Sequence, residues 1–161
     1  MAKAQVAIIM GSDSDLKVMN DAASILAGFD VPFEIKILSA HRTPSDTIKY
    51  AAAAKKNGIK VIIAGAGGAA HLAGVIAAHT LLPVIGVPME TQHLKGIDSL
   101  FSTVQMPSGV PVGCMAIGNA GAKNAALMAL EILSIYDNKI YKQLVSYREK
   151  LAKSVREKNK R

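Results

Sequence analysis

Four short apolar runs rich in β-branched side chains, Val6 to Met10, Phe33 to Leu38, Lys60 to Ala64 and Pro83 to Val87, recur along this chain with helix-forming stretches between them. A fifth run, Val110 to Ile117, precedes a last long helical region. Runs this short that stay apolar from residue to residue describe strands buried on both faces, and such strands belong to parallel sheets covered by helices on either side. The intervening helical segments supply the crossovers that parallel neighbours require. The expected fold class is therefore α/β, a three-layer αβα sandwich around a doubly wound parallel sheet. A chain of 161 residues suits one such domain without disulfide support.

The helical segments are built largely from alanine, as in Tyr50-Ala51-Ala52-Ala53-Ala54 and Asn124 to Leu130. The second is apolar on nearly every face, and such a helix must be covered on all sides. That is more than one small domain is expected to provide, so subunits are expected to pack around it. In the tail, Ile140, Leu144, Tyr147, Leu151 and Val155 fall at spacings of four and three, one apolar stripe on a basic helix. The stripe needs a partner, either its own subunit or, the reading adopted here, a neighbouring one. The expected organisation is a catalytic domain over residues 1–138 and an oligomer-contact helix over residues 139–161.

The formal net charge is +7, but its distribution argues against nucleic acid. Residues 1–138 hold ten Lys/Arg and ten Asp/Glu, whereas residues 139–161 hold nine Lys/Arg against Glu149 and Glu157. The excess lies wholly in the tail, and with no tryptophan and no groove-reading motif a solvated basic helix is expected. No stretch approaches the ~18 uninterrupted apolar residues of a membrane span. The start lacks the apolar core of a secretory signal, and Cys114, alone in an apolar stretch, reads as a small buried hydrophobe of a reducing compartment. A cytoplasmic location is expected.

Chemistry concentrates in three loops, each following a strand. Gly11-Ser12-Asp13-Ser14-Asp15 offers more oxygens than one helix cap needs. A glycine for close approach, free amides at a helix start and a carboxylate able to grip two hydroxyls suit a ribose phosphate. Ser39-Ala40-His41-Arg42-Thr43-Pro44 sets an imidazole, which moves protons near neutral pH, beside a guanidinium, which holds a phosphate with two parallel hydrogen bonds. Pro44 fits the first turn of the helix that follows.

Gly65-Ala66-Gly67-Gly68-Ala69-Ala70-His71-Leu72 leaves the third strand almost without side chains, and bare amides there would cradle an anion or a flat ring. It also satisfies Gly-x-Gly-x-x-Ala, with Glu90 about twenty residues on, so a nicotinamide-dependent oxidoreductase is the alternative. Against that, two βα units precede this loop, whereas the fingerprint normally follows the first strand. The proline-glycine loop Gln105 to Pro111 could close over a ligand or be a plain turn, and the glycines of Gly118 to Gly121 suit close packing. His79 and His93 have no convincing partners, and no spacing of His, Cys, Asp and Glu makes a metal cage.

These three segments, with Asp98-Ser99-Leu100, Gln105-Met106-Pro107 and Gly118-Asn119-Ala120-Gly121, resemble in order and spacing the PurE family of purine biosynthesis over roughly residues 5 to 135. The intact Ser-Ala-His-Arg-Thr-Pro and Gly-Ala-Gly-Gly-Ala-Ala-His-Leu segments resemble its first branch, the N5-carboxyaminoimidazole ribonucleotide mutases. The second branch, the aminoimidazole ribonucleotide carboxylases, uses free carbon dioxide. The resemblance implies a flavodoxin-like fold, a homo-octamer, a ribonucleotide substrate and no cofactor. By position it implies His41 as the acid–base residue, Ser12, Asp15, Ser39 and Arg42 in substrate binding, and Gly67 and His71 at the migrating carboxylate. Ala73, where the family is expected to carry proline, the stretch Met89 to His93, Phe101 and Ser108 depart from the pattern, which touches loop stiffness and closure.

Overall fold

The computed structural model describes residues 3–159; Met1, Ala2 and the last two residues of the expected tail, Lys160 and Arg161, lie outside them. Five strands, β1 (Val6–Met10), β2 (Phe33–Ile37), β3 (Val61–Ala66), β4 (Val84–Pro88) and β5 (Gly113–Cys114), form one sheet in the order β2-β1-β3-β4-β5. Every pairing is parallel. The helices are α1 (Leu16–Gly28), α2 (Pro44–Ala53), α3 (Leu72–Ala78), α4 (Ile97–Val104), α5 (Asn119–Ser134) and α6 (Asn138–Lys158). This is the expected three-layer α/β fold, flavodoxin-like in its strand order.

The central strands explain why the apolar runs are unbroken. Val6, Ile8 and Met10 of β1 face one layer with α1, α5 and the start of α6. Ala7 and Ile9 face the other, with α2 and α3. Alternation persists in space, but both faces are dry, so it leaves no polar trace in the sequence.

The edges depart from expectation. β2 was expected to be buried on both faces, yet Ile35 and Ile37 are 36% and 55% exposed, because β2 is an outer strand with β1 as its single neighbour. The fifth run, expected over Val110 to Ile117, keeps only Gly113–Cys114 as strand, with the Met115 amide still donating to the Gly86 carbonyl at 2.9 Å; on its N-terminal side Pro111 has no amide to donate. Cys114 is half-buried, its thiol pushed up by burial.

Helix α5 is largely covered by its own chain, with Met128 left 39% exposed. Gly121, Ala122, Ala125, Ala126, Ala129, Leu130 and Leu133 are buried within this single chain. The small residues let α1 approach closely on one side while the sheet and α6 cover others. A side chain at Gly121 would collide with the Ala116 backbone, so this glycine does serve close packing. The tail stripe is divided. Ile140 and Leu144 belong to the core of their own chain, and Tyr147 meets Phe29 with ring centres 5.9 Å apart, whereas Leu151 and Val155 are 50% and 59% exposed. No helix among the described residues is long and apolar enough to cross a membrane.

Candidate active site

The chain leaves β1 for β2 on one side and returns past it to β3 on the other, so the loops after these strands diverge at the carboxyl edge of the sheet. That divergence opens a crevice at the topological switch point. A cavity of about 340 Å³ fills it, lined by the first loop (Gly11, Ser12, Ser14, Asp15), the second (Ser39 to Arg42) and the third (Ala66, Gly67, Ala69, His71, Leu72). All seven residues singled out from the sequence, Ser12, Asp15, Ser39, His41, Arg42, Gly67 and His71, are among its walls. None of the Gln105–Pro111 or Gly118–Gly121 residues is.

Ser12 performs the capping that the sequence suggested for the first loop: its Oγ accepts the Ser14 amide at 3.3 Å, at the head of a 3₁₀ turn over Asp13–Asp15. Asp15 caps nothing through its side chain and accepts from Ser14 Oγ at 3.3 Å. Burial holds the Asp15 carboxyl above its usual range; the Ser14 hydrogen bond opposes this and the Asp13 charge adds to it. A half-buried carboxylate left free of capping can receive the hydroxyls of a ligand.

The second loop is cross-tied by hydrogen bonds. Thr43 N–H donates to the Ser39 carbonyl (3.0 Å), Ser39 N–H to Thr43 Oγ1 (3.0 Å), and buried Thr47 donates to the Ser39 carbonyl (3.2 Å). Helix α2 begins at Pro44, as expected. Ser39 Oγ accepts both the amide and Nε of Arg42 (3.1 and 3.4 Å), and Arg42 Nη2 donates to the Gly11 carbonyl at 2.6 Å. Arg42 therefore ties the first loop to the second and keeps N–H donors to spare. Arg42 also lines a second hollow of about 380 Å³, with Gly11, Ser12, Asp13, Ile37, Ser39 and Thr43.

His41 reaches across the cavity to the third loop. Its Nε2 stands 2.7 Å from His71 Nδ1, the rings edge to face. One of these nitrogens donates and the other accepts, which fixes how the His41 ring is presented. Thirty residues separate the two, so no local pattern announces the contact.

The third loop is less bare than its composition suggests. The Gly68 amide donates to Ser99 Oγ at 2.9 Å, and the His71 amide to the Ala69 carbonyl at 2.8 Å. The dinucleotide reading also fails in geometry. Gly65, which should open a tight turn after the strand, lies inside β3, and a side chain there would strike Met89 and Met19. Ser99 is the partner that sequence reasoning passed over, although Asp98-Ser99-Leu100 stood among the segments carrying the resemblance. No cluster of three or more His, Cys, Asp or Glu capable of holding a metal occurs among the described residues.

The sequence profile described as AIR carboxylase matches residues 5–154. The chain belongs to this family. Among its curated relatives, one from Pyrococcus horikoshii is 58% identical over 99% of this chain and 89% of its own. Another, from Escherichia coli, is 53% identical over 91% of this chain and 86% of its own. Both are named N5-carboxyaminoimidazole ribonucleotide mutase. The crystal structure of Treponema denticola PurE superposes with a TM-score of 0.85 at 30% identity, covering 96% of each chain.

Proposed function

We propose that this family member is an N5-carboxyaminoimidazole ribonucleotide mutase of purine biosynthesis, an isomerase that moves a carboxylate from the exocyclic N5 to C4 of the imidazole. The observation that supports this most directly is the meeting of His41 with Arg42, Ser12 and Asp15 in one crevice, in a chain whose relatives carry that name. Ser12 and Asp15 bind the ribose phosphate portion, Arg42 and Ser39 hold the phosphate, and Gly67 and His71 line the place of the migrating carboxylate.

In the reaction, the N5–carboxylate bond breaks and carbon dioxide stays in the pocket while protonated His41 gives its proton to N5. C4 then attacks the trapped carbon dioxide, and neutral His41 removes the C4 proton, which restores its starting state. One residue thus serves both half-reactions as general acid and then general base. Water must be kept out, because escaped carbon dioxide is a lost turnover.

In the single chain His41 and Arg42 face solvent, so closure calls for neighbouring subunits, consistent with a homo-octamer. Residues 1–138 form the catalytic domain. Helix α6, within residues 139–161, makes the oligomer contact through its outer half, where Leu151 and Val155 stand uncovered. The protein works in the cytoplasm.

The family description favours a second reading, that of a carboxylase using free carbon dioxide. Supplying the N5-carboxylated nucleotide in one assay, and the uncarboxylated nucleotide with bicarbonate in another, separates the two. Conversion of the first with little of the second is expected. Activity confined to the second overturns the mutase reading.

A further inference from the structure

We infer that Ser99 and Ser102 of α4 are positioning residues for the glycine-rich wall of the cavity, acting through the backbone of Gly68; the inference rests on the mutase reading for its functional consequence. Ala66, Gly67 and Ala69 line the cavity, but Gly68 between them does not. Its φ is +67°, a region that side-chain-bearing residues avoid, and both its polar groups are taken from behind. Its amide donates to Ser99 Oγ at 2.9 Å, and its carbonyl, 3.2 Å from Ser102 Oγ, shares that hydroxyl's single proton with the Asp98 carbonyl at 2.8 Å. Two hydroxyls three residues apart share one face of a helix, so a single element holds this residue at both ends.

The planarity of the peptide bond carries that grip through to the cavity. In a trans peptide the carbonyl and the amide point in opposite directions. Drawing the Gly68 carbonyl onto Ser102 turns the Ala69 N–H away from α4, towards the side where Ala69 lines the pocket. Drawing the Gly68 amide onto Ser99 likewise turns the Gly67 carbonyl away from α4. The two serines thereby set the orientation of both peptides flanking Gly68, and the Ala69 N–H is the group in them suited to a carboxylate in the cavity that Gly67 and Ala69 line.

Helix α4 is itself firmly seated, as such a device requires. Ser99 is fully buried, and its carbonyl accepts from Thr103 Oγ1 at 2.8 Å. The Thr103 methyl occupies the space that a side chain on Gly86 of β4 would need. At the start of α4, Gly96 has a φ of +90° and donates to Thr91 Oγ1 at 3.2 Å, while Thr91 donates to Asp98 at 2.7 Å. The stretch Met89 to His93 thus anchors α4, and through α4 the third loop.

The test uses S99A, S102A and S102T in the full-length protein, with two measurements. Amide exchange of the peptide from Gly65 to Leu72 is expected to quicken roughly fivefold in S99A, on loss of one hydrogen bond. In assays on the N5-carboxylated nucleotide, S102A is expected to keep its KM within about twofold while the fraction of turnovers releasing uncarboxylated nucleotide rises severalfold, with S102T restoring it. Loss of stability alone would lower the amount of active enzyme without altering that fraction. An unchanged fraction in S102A beside a coupled wild-type enzyme overturns the inference, whatever happens to S99A. Should wild-type protein fail to isomerise the nucleotide at all, the functional reading falls separately, and the exchange measurement decides the clamp: unchanged exchange overturns it.

Discussion

His41 and Arg42 are adjacent in the chain yet do different work in the crevice. Arg42 ties the first loop to the second through the Gly11 carbonyl, whereas His41 crosses to His71 on the third. Replacing His41 with Asn keeps a polar group of similar reach but removes the titratable one. Turnover is expected to fall by about 10²- to 10⁴-fold with nucleotide affinity retained; steady-state kinetics and calorimetry on one preparation check both halves. Asp15 carries a pH signature of its own. Because burial raises its pKa in the fold, folding disfavours its charged form, so Asp15 weakens the fold once pH rises past the unfolded value of roughly 3.9. Asp15→Asn is therefore expected to raise the melting temperature at pH 7, with the gain shrinking towards zero near pH 3 and nucleotide binding weakened. Thermal scans across that range would refute it by showing a constant or inverted difference. At this scale the chemical types were legible in the sequence, since a reactive side chain advertises itself. Ser99 was not, because its role depends on a backbone amide thirty-one residues away.

Among the elements, β1, β3 and β4 could be placed from sequence to within two residues, because strands dry on both faces announce themselves by composition. The edge strand β2 was placed as well, Phe33–Ile37 against an expected Phe33 to Leu38, but its burial was not foreseen, and β5 was misjudged in length. β5 shrank to two residues and β2 proved exposed, since an edge is defined by what is missing beside it. Helix α6 shows the same division within one element. Its apolar stripe is periodic throughout, yet periodicity does not say which turns touch their own chain. Leu144→Ala should cost about 2–3 kcal/mol in urea denaturation, as expected for a buried leucine. A loss below about 0.5 kcal/mol would mean that this turn is not part of the core.

For the whole molecule, the structure changes how assembly should be probed. Removing residues 139–161 would take Ile140 and Leu144 out of the core, confusing loss of assembly with loss of folding. Leu151→Ser with Val155→Ser leaves those contacts intact and alters only exposed positions. The expected result is a smaller particle by light scattering with the monomer's circular dichroism unchanged. A particle of unchanged size would remove the outer half of α6 from the interface. The α5 helix carries the complementary lesson: its all-round apolarity suggested neighbouring subunits, but α1, the sheet and α6 already cover most of it within one chain.

The sequence by itself determined the layer architecture, the three chemical loops and the identity of every side chain that meets in the crevice. Burial on two faces, glycine-rich strand ends and reactive residue types are local properties, written where they act. The tertiary structure alone decided which of these residues touch. It placed His41 against His71, Gly68 between Ser99 and Ser102, and the first half of α6 on its own subunit. Those contacts arise because the parallel sheet brings to one edge loops that lie tens of residues apart, and no local pattern records which of them will meet.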